Sequence, residues 1–478
     1  MRTVSDSTMP FSTYVPPAKY VPPANRFDAL PLELRVMISG LLDAEDLASL
    51  VSERPELVGL FNERFIDRAS RATILKHEHG PLGQWTLQND AVRSLLTHRF
   101  EAESTTLPNT QLLRNLMEAR ERLSGPAETI QAVSTRLPNV YLRESAVVLP
   151  RTGPASILVL PPDGTDLHGR FLQHIDGGQP TLPDSLSARQ VDPTHLFGHE
   201  VIDATLSRGE STLIVRDLFD HSCGIYCPSD NTFTQLPPEF SADSQTTSLR
   251  TNSSSDGRYV AALIGPSRLL VYDTLTKAIV TDTPMAFTEL VTRISVDCNG
   301  TVMIASLWEF AEVARGTRDT PITAHPESRV ETADCSFVPG DRCIISTSPA
   351  GIRLLDRISG ETTVLLHPEW RANPAANAHE ESTADRGMQP LSIAFSPGNA
   401  MVSVFYQTGL LVVFNLMDTK PNSSVHHAVE FQLPAPSFIF QAATWFDQDG
   451  GAVSACYPLE FLGTGVGVTK IRLVEAEA

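Results

Sequence analysis

Lysine is nearly missing from this chain. Of 37 basic residues, five are lysines (Lys19, Lys76, Lys277, Lys420 and Lys470) and 32 are arginines. Arginine carries the same charge but no primary amine, so the sequence offers few nitrogens to which an acyl group can be transferred. Selection against self-modification gives such a bias, and so does a GC-rich genome; the abundance of Ala, Arg and Pro favours the second. Cysteine is sparse as well. Six are scattered over a chain whose first 25 residues hold no apolar core of signal-peptide length, which reads as free thiols in a reducing compartment, cytoplasmic or nuclear. Cys223 and Cys227 lie close together beside His221, and His426 and His427 are adjacent, but no second ligand pair stands at zinc-site spacing, so no metal is expected. Long apolar runs are lacking too, and none approaches the roughly 18 residues of a membrane helix. Positive charge is short: a formal net charge of −19 and a pI near 5.1 argue against a nucleic-acid partner, whose phosphates such a surface repels. Catalytic signatures are absent as well: no G-x-S-x-G, no P-loop, no H-E-x-x-H. Gly463-Thr-Gly-Val-Gly467 looks like a phosphate loop but has no helix after it and reads as a β-turn. No cofactor is expected, and no enzyme.

What the chain does have begins near its start. Residues 1–25 carry Tyr14-Val-Pro-Pro-Ala and Tyr20-Val-Pro-Pro-Ala, an imperfect duplicate that reads as an extended, disordered Pro-rich arm. Leu30-Pro31-Leu32-Glu33-Leu34 follows. Pro31 suits the first position of a helix, and Leu34, Met37, Ile38, Leu41 and Leu42 then recur on one helical face. Asp43 reads as the N-cap of a second helix with Asp46 in its first turn and Leu47, Leu50 and Val51 as its apolar side. Pro55 reads as the start of a third, with Val58, Phe61 and Phe65 on one side. Three helices in about 40 residues lie near the lower limit of a self-sufficient domain, so the surplus apolar surface needs a partner or a neighbouring domain.

This stretch resembles an F-box. The resemblance implies docking to the small Skp-type adaptor of cullin-based SCF ubiquitin ligases, through or with the support of Leu30, Pro31, Leu34, Ile38, Leu41, Leu42, Leu47, Leu50 and Val51. The chain departs from the family pattern after Val51-Ser52, where a Trp is usual and Glu53-Arg54-Pro55 stands instead. An ordinary helical hairpin covering another domain is the other reading of the same residues.

Residues 67–137 read as helical, clearest in Ala91–His98 and Thr110–Leu123. From about residue 138 the pattern changes to short apolar strands around a recurring Gly turn, with units at Gly209, Gly257, Gly300, Gly340, Gly398 and Gly450. The spacing is 43 residues from Gly257 to Gly300 and 40 from there to Gly340, as expected for four short strands per unit. Third strands end at Asp273, Asp356 and Asn415, and Tyr141–Gln173 adds one unit without a clean marker. The segment resembles a degenerate WD-repeat domain, and the resemblance implies a propeller of seven blades in which those three residues are structural. A pair of β-sandwiches is the other reading of the strands. Because Val468–Val474 ends the strand pattern, a ring must close by pairing it with the beginning of the β region near Tyr141.

The fold class is therefore α+β multidomain: arm 1–25, F-box 26–66, helical linker 67–137 and all-β propeller 138–478. The whole resembles a fungal-type F-box substrate receptor. That implies a non-catalytic subunit that joins a Skp-type adaptor and cullin complex to an unknown protein substrate. An assembly scaffold without ligase function and, less favoured, a propeller enzyme are the alternatives. The insertion His367–Gln389 reads as disorder or as a specificity loop.

Overall fold

The structure is a computed structural model. It describes residues 30–82, 89–97, 108–123, 131–137, 145–148, 155–159, 171–175, 199–207, 210–217, 222–227, 232–240, 249–254, 257–265, 268–285, 291–306, 310–317, 323–324, 334–348, 351–365, 390–417, 424–425, 429–434, 442–446, 450–459 and 466–473. The Pro-rich arm, His221, His426, His427, Gly209 and the insertion 367–389 lie outside these residues.

Helices come first: α1 (Leu32–Ser39), α2 (Ala44–Glu53), a 3-10 turn (Pro55–Leu60), α3 (Glu63–His79), α4 (Asn89–Thr97) and α5 (Pro108–Leu123). Asp43 is the N-cap that its side chain suggested, accepting from Asp46 N at 2.9 Å. The third helix starts later than Pro55. Gly59 weakens that stretch as an α-helix, and Asn62 offers a better start by accepting from Phe65 N at 3.0 Å.

Strand β1 (Gln131–Leu137) falls within the stretch whose pattern reads as helical. Val133 and Thr135 suit a strand, but what fixes them there is a partner at the far end of the chain, which a local pattern does not reveal. Next come a sheet of β2 (Ser145–Val148), β3 (Ala155–Val159) and β4 (Phe171–Ile175), and a second of β5 (His199–Ser207), β6 (Glu210–Asp217), β7 (Cys223–Cys227) and β8 (Thr232–Gln235). The third sheet holds β9 (Leu249–Ser253), β10 (Tyr259–Ile264), β11 (Arg268–Asp273) and β12 (Ala278–Pro284). The fourth holds β13 (Val291–Val296), β14 (Val302–Ser306), β15 (Phe310–Val313) and β16 (Thr323–Ala324). The fifth runs through β17 (Asp334–Phe337), β18 (Cys343–Ser348), β19 (Gly351–Asp356) and β20 (Thr362–Leu365). The sixth is β21 (Pro390–Phe395), β22 (Met401–Tyr406), β23 (Leu410–Asn415) and, after a two-residue β24 (Ser424–Val425) that pairs in parallel with β20, β25 (Val429–Gln432). The last sheet joins β26 (Ala443–Phe446), β27 (Ala452–Pro458) and β28 (Val466–Arg472) to β1. Within the sheets, neighbouring strands are antiparallel apart from β20 and β24.

Five of the six marker glycines are described, and all five take a left-handed φ: Gly257 at 71°, Gly300 at 82°, Gly340 at 92°, Gly398 at 72° and Gly450 at 67°. They turn the first strand of a unit into the second. First strands of successive sheets lie side by side: β2 by β5, β5 by β9, β9 by β13, β13 by β17 and β21 by β26. Helices followed by such a series of antiparallel sheets are consistent with a WD40-like β-propeller.

The strands read as unbroken apolar runs because both of their faces are covered. In β10, Tyr259, Ala261 and Leu263 pack towards Ile294, Val302 and Ile304 of the fourth sheet, while Val260 and Ala262 pack towards Ile214 and Ile225 of the second. In β22, Val402, Val404 and Tyr406 meet the fifth sheet, and Met401 and Phe405 join the cluster that also contains the seventh sheet and the helices. Alternation along a strand then separates two buried neighbours rather than core from solvent. Each Val, Leu, Ile, Phe or Met among them, fully buried, contributes about 1.5–3 kcal/mol.

The last strand is paired on both sides. β28 lies between β27 and β1, with β1 in register from Gln131 opposite Arg472 to Leu137 opposite Val466. The end of the strand pattern therefore does pair with the beginning of the β region, a few residues earlier than Tyr141.

Candidate docking site on the N-terminal helices

α1 is braced within its own segment and tied to α3 just past its C-terminal end. Arg35 Nε donates to Leu30 O at 2.9 Å, Ser39 Oγ donates to Arg35 O at 2.8 Å, and Arg68 from α3 donates to the carbonyl of Gly40. These bonds fix the helix without covering it: Leu34 and Ile38 are exposed, Met37 is 68% exposed and Leu41 84%. Of the remaining residues assigned to this surface, Pro31 is exposed, while Leu30, Leu42, Leu50 and Val51 are half-buried. Leu47 is fully buried and belongs to the core that joins helices and sheets, so its part is to hold α2 in place. Met37 was part of the apolar pattern but not of the assigned set, and it stands out as strongly as Leu41.

Under α1, a polar joint fixes α2 on α3. Lys76 Nζ donates to Asp43 Oδ2 at 2.7 Å and Glu45 Oε2 at 2.9 Å, Glu45 Oε1 is 3.1 Å from His77 Nε2, and Ala44 N donates to Thr73 Oγ1 at 2.8 Å. Burial pushes the Glu45 carboxyl up, but the bonds from His77 and Lys76 outweigh it and hold it below its ordinary value. Burial works against the charge on Lys76, yet its two carboxylate partners win and keep the ammonium protonated. Beside α2 a cavity of about 100 Å³ is lined by Ala48, Val51, Val58, Phe61, Ile66 and Leu95, among others.

The helical layer is seated on the strand turns of the last three sheets. His79 Nδ1 lies 3.1 Å from Gly340 O, Gly398 N donates to Glu78 Oε1 at 3.3 Å, and Asn399 Nδ2 donates to Glu78 O at 3.2 Å and Pro339 O at 2.7 Å. Gly340 is required there: a Cβ would run into the Glu78 carbonyl. At Gly450 a Cβ would press on Leu116 of α5, which is buried with Leu113 and Ala119.

The acids that end the third strands are structural, as their place in the units implied. Asp273 Oδ1 accepts from Leu275 N and Thr276 N, and Arg258 Nη2 donates to its Oδ2 at 3.0 Å. Asp356 repeats this with Ile358 N, Ser359 N and Arg342, and Asn415 accepts from Met417 N. Cys223 is buried with its thiol directed to Phe240 O at 3.4 Å, and no group of metal-ligating side chains is found among the described residues. No described helix is long and apolar enough to cross a membrane. Val466 and Gly467, the end of the Gly-rich run, lie in β28.

No protein-family model matches the sequence, and no curated protein matches it. Among solved structures the chain is similar to the C-terminal WD40 domain of Sif2, with 12% identity and a TM-score of 0.39 over 72% of this chain and 99% of that one. The strand pairing itself defines the class of protein: a few N-terminal helices followed by a series of antiparallel sheets, consistent with a WD40-like β-propeller.

Proposed function

We propose that this chain is the substrate-recognition subunit of an SCF-type cullin ubiquitin ligase. Its F-box would bind a Skp-type adaptor and its β domain, read as a seven-bladed propeller, would bind a protein substrate in the cytoplasm or nucleus. The observation that carries the reading is the uncovered apolar row of Leu34, Met37 and Ile38 on α1 with Leu41 just after it, on a helix tied to α3 through the Gly40 carbonyl. Leaving four large apolar side chains in contact with water is unfavourable, and an adaptor that covers them would gain up to about 1.5–3 kcal/mol for each of the most exposed, Met37 and Leu41, and less than half of that for Leu34 and Ile38, which are already more than half covered. Leu30 and Pro31 precede the row, and Leu42, Leu50 and Val51, half-buried against the core, complete the set assigned to the adaptor in this reading. Catalysis belongs to other subunits in this reading, and the chain supplies geometry: the helical layer fixes the adaptor side relative to the sheets.

The test is a pull-down of a recombinant Skp-type adaptor by the full chain and by a Leu34→Ser/Leu41→Ser variant. Both positions are exposed, so the variant should melt like the parent and lose adaptor binding. Binding that survives the double substitution, or a parent that captures no adaptor, rejects the F-box reading. Adaptor capture without ubiquitin transfer to a bound partner would make the chain a scaffold instead.

A further inference from the structure

α1 is short. Its eight residues fall below the roughly 12–15 that a helix needs to hold together alone in water, so the direction in which it points its apolar row comes from contacts with the rest of the molecule. Within the segment, Arg35 turns back to Leu30 O and Ser39 to Arg35 O, and neither bond reaches another element. At the C-terminal end, Gly40 N, Leu41 N and Leu42 N donate to the carbonyls of Met37, Ile38 and Ser39. The next carbonyl, that of Gly40, takes its donor from Arg68 of α3, 28 positions on. No basic residue lies in the last turn of α1, so Arg68 also brings the positive charge that this end of a helix favours.

Arg68 is itself held in place. Its guanidinium lies 5.8 Å from the centroid of the Phe65 ring, Phe65 stacks on Phe61 at 4.9 Å, and Phe61 is buried in the core that the helices share with the last two sheets. It pairs with no carboxylate among the described residues, unlike Lys76 about two turns further along α3, whose ammonium is taken up by Asp43 and Glu45. Gly40 leaves it room, since a Cβ there would meet both the guanidinium and the Phe65 ring. Leu42 packs against the same core, but one apolar contact past the helix lets α1 pivot about it. A bond to the carbonyl two residues earlier removes that freedom.

We propose that Arg68 is the positioning residue of the docking row: it aims α1, and with it Leu34, Met37, Ile38 and Leu41, without touching the adaptor. This rests on the adaptor reading of the row. Without the tie the row is as apolar as before, but only the fraction of molecules with α1 in place can dock, and the apparent affinity falls by that fraction.

Arg68→Met keeps the stem and removes the donor. Arg68 is exposed and outside the core, so the full-length variant should melt like the parent. Hydrogen exchange read by mass spectrometry should speed up at least about tenfold over residues 35–42 and stay unchanged in α3. Binding of a recombinant Skp-type adaptor should weaken at least about tenfold, the loss expected for one hydrogen bond from a charged group. That loss should lie in the association rate and leave dissociation as in the parent. Arg64→Met, which removes the same charge from an exposed position one turn earlier in α3, should change neither exchange nor binding. A loss in the dissociation rate would make Arg68 an adaptor contact and overturn the positioning role. Equal loss in Arg64→Met, or unchanged exchange over residues 35–42, would overturn it as well. A parent that captures no adaptor rejects the adaptor reading together with this proposal, whereas a parent and an Arg68→Met variant that capture it equally reject this proposal alone.

Discussion

Asp273 and Asn415 perform the same task with different charge, and one neighbour explains the difference. Arg258 opens the second strand of the third sheet and reaches Asp273; Arg342 reaches Asp356 in the same way. At the matching place in the sixth sheet stand Ala400 and Met401, and there the turn is closed by a neutral amide. A buried carboxylate without a cation is costly, so the acid appears where a guanidinium meets it. The Arg258 guanidinium holds the Asp273 carboxyl below its usual range. Burial pushes Asp356 up, but the N–H groups of Ile358 and Ser359, with Arg342, bring it below the ordinary value. Asp273→Asn should therefore keep the turn bonds but set an amide N–H against Arg258 and lose part of the stability, while Asp273→Ala should cost about 1–3 kcal/mol more by also leaving the two turn N–H groups without their acceptor. Urea unfolding of the two variants checks this, and equal losses would mean that the turn bonds contribute nothing. These acids were legible because each ends an apolar run at a fixed place in a unit. Their arginine partners were not, since a residue 14 or 15 positions earlier carries no local mark. The same holds for Arg315, which comes to Tyr259 from the next sheet.

At the scale of elements, the sequence displayed what repeats and concealed what pairs over distance. The Gly turns at Gly257, Gly300, Gly340, Gly398 and Gly450 and the strands around them stood out because each unit restates the pattern. The cap at Asp43 stood out because capping needs only three residues. β1 did not, because Gln131–Leu137 is a strand only through β28. A β domain cut at the apparent boundary would lose that strand. A fragment starting at Ile130 should fold to a soluble all-β domain by circular dichroism, whereas one starting at Pro138 should aggregate or melt well below it. The reason is that β28, with its buried Ile471 and the adjacent Leu473, then presents an unpaired edge. Equal solubility and melting of the two fragments would show that β1 is dispensable.

For the whole molecule, the helical layer and the last two sheets share one core, and at Gly340 of the fifth sheet the end of α3 lies so close that a Cβ would not fit. Gly340→Ala adds a methyl group against the Glu78 carbonyl and strains a left-handed residue, at a cost of about 1–3 kcal/mol. The parent should lose helix and strand signals in one thermal transition, and the variant should lose helix signal first. Coincident transitions in the variant at the parent's temperature would show that α3 does not depend on this seat. The pairing of β1 with β28 also sets a clock. A ribosome releases the helices and β1 early and β28 after all the other strands, so the seventh sheet has no complete set of strands until β28 has been made. Until then α5, which rests on the turn at Gly450, has no floor, and the apolar row of α1 is displayed on an unfinished molecule. Whatever first covers that row meets a nascent chain before it meets the finished protein.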